Sequence, residues 1–246
     1  MLIYDTPENI TAFSTTRDGG VSIAIPHLVM PQHQTHDTVT AVVDEAFLAR
    51  NPLSQALALD GVDALCTNLA NVCVGVKTAD CIPVLLWDNT EHVVSAVHAG
   101  WKGTMKRIVE ANIDTLVSTY DIHPKNLHAI IAPGIGLESF EVGDEVYQAF
   151  ADAGFPMDKL AKRFPQMHHS SVLTDLAEGR CPHGQTTATR WHIDLWECNR
   201  LQLINKGVNP NNIHVSGIDT YTNHDRFFSA RRKLNGRIIN GIMLNN

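Results

Sequence analysis

The stretch VCVGVKTADCIPVLLWDNTEHVVSAVH, residues 72 to 98, does most to restrict how this chain can fold. It holds three apolar, β-branched runs at 72–77, 82–87 and 92–98, parted by short breaks carrying turn residues such as Asp88 and Asn89. Apolar runs this short, bounded by turn signals, read as buried strands, and breaks this short make hairpin-like pairs. The segments 127–133, 213–218 and GRIINGIML near the end read as further strands. Helices fall between them. Met105, Val109, Ile113, Leu116 and Tyr120 recur at helical spacing over 104–120, with Gly103 just before. Val146, Phe150 and Ala153 share a face over 144–153, with Gly154 as a stop. DLWECNRLQLINKG opens with Asp194 and Glu197 at capping-box spacing and closes at Gly207. Hairpin-like strand pairs mixed with helices predict an α+β fold of mixed β-sheets flanked by helices. A single domain is expected over 1–246, with residues 165–190 as a surface loop.

Charge and composition remove several classes of function. The net charge is −7, and no basic face stands out, so neither nucleic acid nor an anionic membrane is an expected partner. No apolar stretch approaches the ~18 residues of a membrane span. The opening MLIYDTPENI lacks the basic and apolar regions of a signal peptide, and a cytoplasmic location is expected. Neither G-x-G-x-x-G nor the Walker A pattern occurs, which leaves dinucleotide and P-loop readings without support. The five cysteines have no framework spacing, so they are free thiols or ligands. Thirteen histidines make a metal worth seeking.

The chemistry concentrates around Cys81 and His98, at neighbouring ends of two expected strands. A lone cysteine or histidine in an apolar run is ordinarily core. Here Lys77 and Asp80 stand beside Cys81, and burying that many polar groups costs several kcal/mol unless they are paired or at work. After His98, Gly100 and Gly103 turn the chain into a helix whose N-terminus, with Lys102, suits an anion. Upstream, PQHQTHDT supplies His36, with His33 competing for the same role. One thiolate and two imidazoles suit Zn²⁺ with one position open, as in catalytic zinc sites. Spacing alone leaves three readings: inert core, a Cys–His nucleophile and base, or a metal site.

Five segments together narrow the choice. TADC before an apolar strand, HAGWKGT, EVGDEV, HIDLWECNRLQL followed by GV, and FFSARR make the chain resemble the laccase-domain proteins, also called polyphenol oxidase, YfiH-like or peptidoglycan editing factor. The likeness runs from about Phe13 to Leu244. It implies a metal site of Cys81, His98 and His36, the last within QTHD. It also implies zinc-dependent purine nucleoside chemistry: phosphorolysis of adenosine, inosine, guanosine and methylthioadenosine, and deamination of adenosine. Copper is a possible occupant.

Deamination needs an activated water. Phosphorolysis needs a phosphate site, for which Lys102, Arg231 and Arg232 are candidates, because cations and guanidinium forks match phosphate oxygens. Asp80 and Lys77 are the catalytic candidates: Asp80 to orient a ligand histidine or act as general base, Lys77 to hold phosphate or pair with Asp80. A copper polyphenol oxidase is one alternative, although the H-x-H pairs of a multicopper cluster are missing. A Cys–His hydrolase acting on peptidoglycan precursors is another. His168, His169, Cys181 and His183, within the 165–190 loop, could form a second metal site but read more readily as solvated. This sequence departs from the family in having no cysteine just before FFS and none in APGIGLESF.

Overall fold

The computed structural model describes residues 1–18, 25–165 and 189–246. In chain order its strands begin with β1 (Leu2–Ile3), β2 (Ile10–Ser14), β3 (His27–Val29), β4 (Thr40–Val42), β5 (Ala64–Thr67), β6 (Val72–Thr78) and β7 (Ile82–Asp88). They continue with β8 (Val93–Ala99), β9 (His128–Ile131), β10 (Glu141–Val142), β11 (Ala161–Pro165), β12 (Thr189–Ile193), β13 (Ile213–Val215) and β14 (Ile238–Leu244). The helices are α1 (Glu45–Leu48), α2 (Pro52–Ala58), α3 (Trp101–Met105), α4 (Ile108–Tyr120), α5 (Asp144–Asp152), α6 (Met157–Leu160) and α7 (Leu195–Asn205). This is the α+β arrangement that the sequence implies.

The chain forms two compact units, residues 1–136 with 195–246, and residues 137–194. The larger holds two sheets. One runs β1-β2-β14-β6-β3, the other β13-β9-β7-β8-β5-β4. Val74, Val76 and Ile242 of the first share a core with Leu85, Val94, Ala96 and Ile130 of the second. Fully burying each of the valines, leucine and isoleucines among them is worth roughly 1.5–3 kcal/mol. Every residue of β7 and β8 is buried. α4 packs against β8 and α7. Cover on both faces explains why these strands read as unbroken apolar runs instead of alternating ones.

The periodicity over 104–120 predicts one helix, yet the chain makes two. Arg107 sits at φ 71°, in the left-handed region, and a right-handed helix cannot pass through it. The turn is held at the Thr104 carbonyl, which accepts from the Arg107 amide at 3.0 Å and from Gln202 Nε2 at 2.9 Å. That second bond joins residues 98 positions apart, so no local pattern announces it.

In the smaller unit β12 is the centre of an antiparallel sheet, β10-β12-β11. Trp191 stacks on Tyr147 with ring centroids 4.1 Å apart, and the Arg163 guanidinium lies 4.2 Å from the Trp191 ring centroid. Of the segment expected as a surface loop, the two ends belong to β11 and β12. His168, His169, Cys181 and His183 lie outside the described residues. Among the described residues no helix is long and apolar enough to cross a membrane.

Candidate metal centre

Strand register brings the cysteine and the first histidine together. β7 and β8 are antiparallel, with Ile82 opposite Ala99 and Pro83 opposite His98. Cys81, one residue before β7, therefore lies beside the residues that end β8. His36 comes from the segment joining β3 to β4. Gln34 secures that segment: its side-chain amide donates to the Lys77 carbonyl at 3.0 Å and accepts from the Lys77 amide at 2.9 Å. His36 itself has φ 61°, a left-handed backbone that costs a non-glycine residue on the order of 1–3 kcal/mol and persists only where its surroundings hold it.

One donor atom each from His36, Cys81 and His98 lies within 4.8 Å of the others. Cys81 Sγ is 3.8 Å from His36 Nε2, and the two imidazole centroids are 4.8 Å apart. A tetrahedral zinc with ordinary Zn–S and Zn–N bonds sets its sulfur and nitrogen about 3.6 Å apart, so the spacing fits. The soft thiolate and two imidazoles are also the donor types zinc takes, and three donors leave one position for substrate or water. Gly100 makes the approach possible. A Cβ there would stand 2.5 Å from His36 Cδ2 and 3.1 Å from Cys81 Sγ.

The organiser of the centre is Asp63, which the sequence reading passed over. Its carboxylate is fully buried, and its Oδ1 accepts from His98 Nδ1 at 2.7 Å and from the His36 amide at 3.0 Å. Its Oδ2 accepts from the Asp37 amide at 2.8 Å and the Thr35 amide at 3.2 Å. One carboxylate thus orients one imidazole, leaving Nε2 of His98 toward Cys81, and clamps the backbone that carries the other. Carboxylate–histidine pairs of this kind fix ring tautomer and raise ligand basicity. Burial opposes ionisation of Asp63, but bonds from His98 and the Asp37 and His36 amides outweigh it and hold the carboxyl below its ordinary range. Burial likewise opposes charge on His98, yet Asp63 and Cys81 push it up to about 9. Cys81 moves the opposite way: burial would raise it, but His36 and His98 bring it down to about 6. A thiolate is therefore ready at neutral pH, the state a metal needs.

The other sequence candidates spread over a wider neighbourhood. Asp80 does not touch the imidazoles. Its Oδ1 accepts from Thr220 Oγ1 at 2.7 Å, and its Oδ2 from Ser229 Oγ at 3.0 Å and the Arg231 amide at 2.7 Å. It is thus the anchor of the FFSARR segment. Lys77 donates to the Gln32 carbonyl at 3.0 Å and lines a cavity of about 330 Å³ that reaches His36, Cys81 and His98. Arg237, not singled out in the sequence, lines it too. Lys102 is exposed, 5.6 Å from the Trp101 ring centroid. Arg232 donates from Nε to the Tyr221 carbonyl at 2.6 Å and stacks over that ring. Lys102, Arg231 and Arg232 are not among the residues lining this cavity. His33, the competitor of His36, pairs with Asp60 at 3.2 Å and sits on the cavity wall.

A mixed-sheet α+β chain with a Cys–His–His centre where two antiparallel strands meet defines a recognisable class. The chain belongs to the family described as multi-copper polyphenol oxidoreductase laccase, whose pattern spans residues 4–245. It is similar to a protein of Bacteroides thetaiotaomicron named purine nucleoside phosphorylase, with 36% identity over 98% of this chain and 82% of the relative. It is also similar to adenosine deaminase RL5 of an unknown prokaryotic organism, with 37% identity over 90% of this chain and 77% of the relative. The fold is shared with crystalline YlmD from Geobacillus stearothermophilus, at a TM-score of 0.76 and 24% identity over 98% of this chain and 94% of that one.

Proposed function

We propose that this chain is a zinc-dependent enzyme of purine nucleosides. In this reading it phosphorolyses adenosine, inosine, guanosine and methylthioadenosine and also deaminates adenosine, as a single cytoplasmic domain over 1–246. The observation that carries the reading is the convergence of His36, Cys81 and His98 on the wall of one cavity, in a chain whose relatives bear phosphorylase and deaminase names. His36, Cys81 and His98 would hold the ion. Bound zinc supplies Lewis acidity, which lets water act as a nucleophile near neutral pH.

The chain's own groups do the rest. Asp63 holds His98 with Nδ1 protonated. Asp80 works by position: gripping Ser229 and the Arg231 amide, it sets Ala230 between them into the cavity wall. Lys77 brings a cation to the same wall.

The test is elemental analysis of the wild type and Cys81→Ala, each assayed on adenosine and inosine with and without phosphate. About one zinc per chain is expected, with both the metal and at least about 10³-fold of activity lost in the variant. Phosphate dependence separates phosphorolysis from deamination. Copper in the purified protein with phenol-oxidising activity would favour the polyphenol oxidase instead. Activity that survives chelation and ends on thiol alkylation would favour the Cys–His hydrolase.

A further inference from the structure

The cavity above the centre has an unusual charge balance for a chain of net charge −7. Lys77 and Arg237 both line it, and among the described residues no aspartate or glutamate does. The nearby carboxylates are engaged elsewhere: Asp63 with the His98 imidazole and the His36 amide, Asp80 with the 220–231 segment, Asp37 with Lys106 at 3.1 Å, and Asp60 with His33. Among the described residues neither Lys77 nor Arg237 forms an ion pair. Lys77 donates to the Gln32 carbonyl and Arg237 to the Gly236 carbonyl at 2.7 Å, which leaves further N–H groups on both.

Sheet register places the two together. β14 runs antiparallel to β6 with Ile239 opposite Lys77 and Ile238 opposite Thr78. Arg237, the residue just before β14 and two before Ile239, is thereby brought to the end of the strand that pairs with Lys77, and both side chains line the same cavity. The approach to Arg237 is fixed as well. Gly236 has φ 136°, and a Cβ there would stand 2.4 Å from the Phe228 ring.

We infer that Lys77 and Arg237 form an oxyanion subsite, occupied by inorganic phosphate, on the wall of the cavity that opens on His36, Cys81 and His98. A compact ammonium and a guanidinium fork suit three or more equivalent oxygens, and among the described residues no carboxylate on the cavity wall competes for their charge. The identification of the anion rests on the phosphorolysis reading; the anion site itself does not.

The experiment measures phosphate in two independent ways. The metal-loaded protein is titrated with sodium phosphate at constant ionic strength, and the rise in unfolding midpoint gives an apparent Kd. The phosphate KM with inosine gives the second value. Lys77→Met, Arg237→Gln and the double variant are compared with Lys102→Met, and bound metal is measured in each. The expected result is a Kd raised about tenfold in each single variant and about a hundredfold in the double, with Lys102→Met behaving as wild type. The same Kd in the double variant as in wild type overturns the proposal, as does an equal loss in Lys102→Met. If phosphate binding follows Lys77 and Arg237 while the wild type shows no phosphorolysis, the subsite stands and the nucleoside reading falls. If phosphorolysis proceeds with its phosphate KM unmoved in the double variant, the nucleoside reading stands and the subsite falls.

Discussion

Cys66 lies in the six-stranded sheet and Cys81 just before one of its strands, β7, and their thiols are driven in opposite directions. Cys66, within β5, is fully buried, and burial pushes it up to about 12 against a smaller pull from Tyr120. At Cys81 burial acts in the same sense, yet His36 and His98 overcome it and bring the thiol down to about 6. Burial therefore does not decide which cysteine becomes reactive. The decision lies with the two imidazoles beside Cys81, which Asp63 holds there by the His98 ring and the His36 backbone amide.

The widest gap between the two thiols should appear in alkylation. In the metal-stripped protein at pH 7.5, iodoacetamide is expected to label Cys81 about a hundredfold faster than Cys66, or more. The thiolate fractions differ by about four decades, and the weaker nucleophilicity of the more acidic thiolate offsets more than half of that. Cys73, raised to about 12 by burial, should behave as Cys66 does. The sign in pH follows from the direction of the shift: Cys81 labelling climbs as pH rises through about 6 and then levels off, because the thiolate is the reacting form. Peptide mapping of a pH series checks this, and comparable rates at Cys66 and Cys81 would end the contrast.

The sequence discloses one half of this contrast far better than the other. Cys81 and His98 are legible because strand ends are: the breaks at 78–81 and 88–91 place them within a few residues of their true positions. His36 is legible only with the TADC and HAGWKGT motifs around it. Asp63 is not, since its partners lie 26 to 35 residues away in either direction and its own neighbourhood, GVDALC, reads as core. A signal was present nonetheless, because a carboxylate inside an apolar run is costly unless several donors meet it. Arg237 is hidden for a different reason. GRIINGIML reads as a strand with Arg237 at its start, and only the pairing of β14 with β6 brings that start beside Lys77.

Removing the organiser should narrow the gap between the thiols without closing it. Asp63→Asn keeps an oxygen for His98 Nδ1, but turns an NH₂ group toward the Thr35 and Asp37 amides, donor against donor. Zinc affinity is expected to fall about ten- to a hundredfold, as for other carboxylates that hold a ligand histidine. Stability should fall by about 1–3 kcal/mol, the cost of buried donors left without an acceptor. Competition with a chelator gives the first quantity and denaturant unfolding the second. Unchanged zinc affinity would remove Asp63 from its place in the comparison.

The smallest effect expected is on the inert side, and it tests whether the two thiols are independent. Cys66→Ala removes a fully buried sulfur that lies 3.8 Å from the Ala41 carbonyl, which should cost about 1 kcal/mol, chiefly as a small cavity. The backbone pairing of β5 with β8 does not use that sulfur: Ala64 stays opposite Val97 and Cys66 opposite Ser95. Asp63, the residue before β5, should then remain in reach of His98, whose amide also donates to the Asp63 carbonyl at 2.7 Å. Bound zinc is accordingly expected to stay at about one per chain in Cys66→Ala, with the unfolding midpoint slightly lowered. A variant that lost its metal would show that packing inside β5, and not the Asp63 hydrogen bonds alone, sets the imidazoles on Cys81.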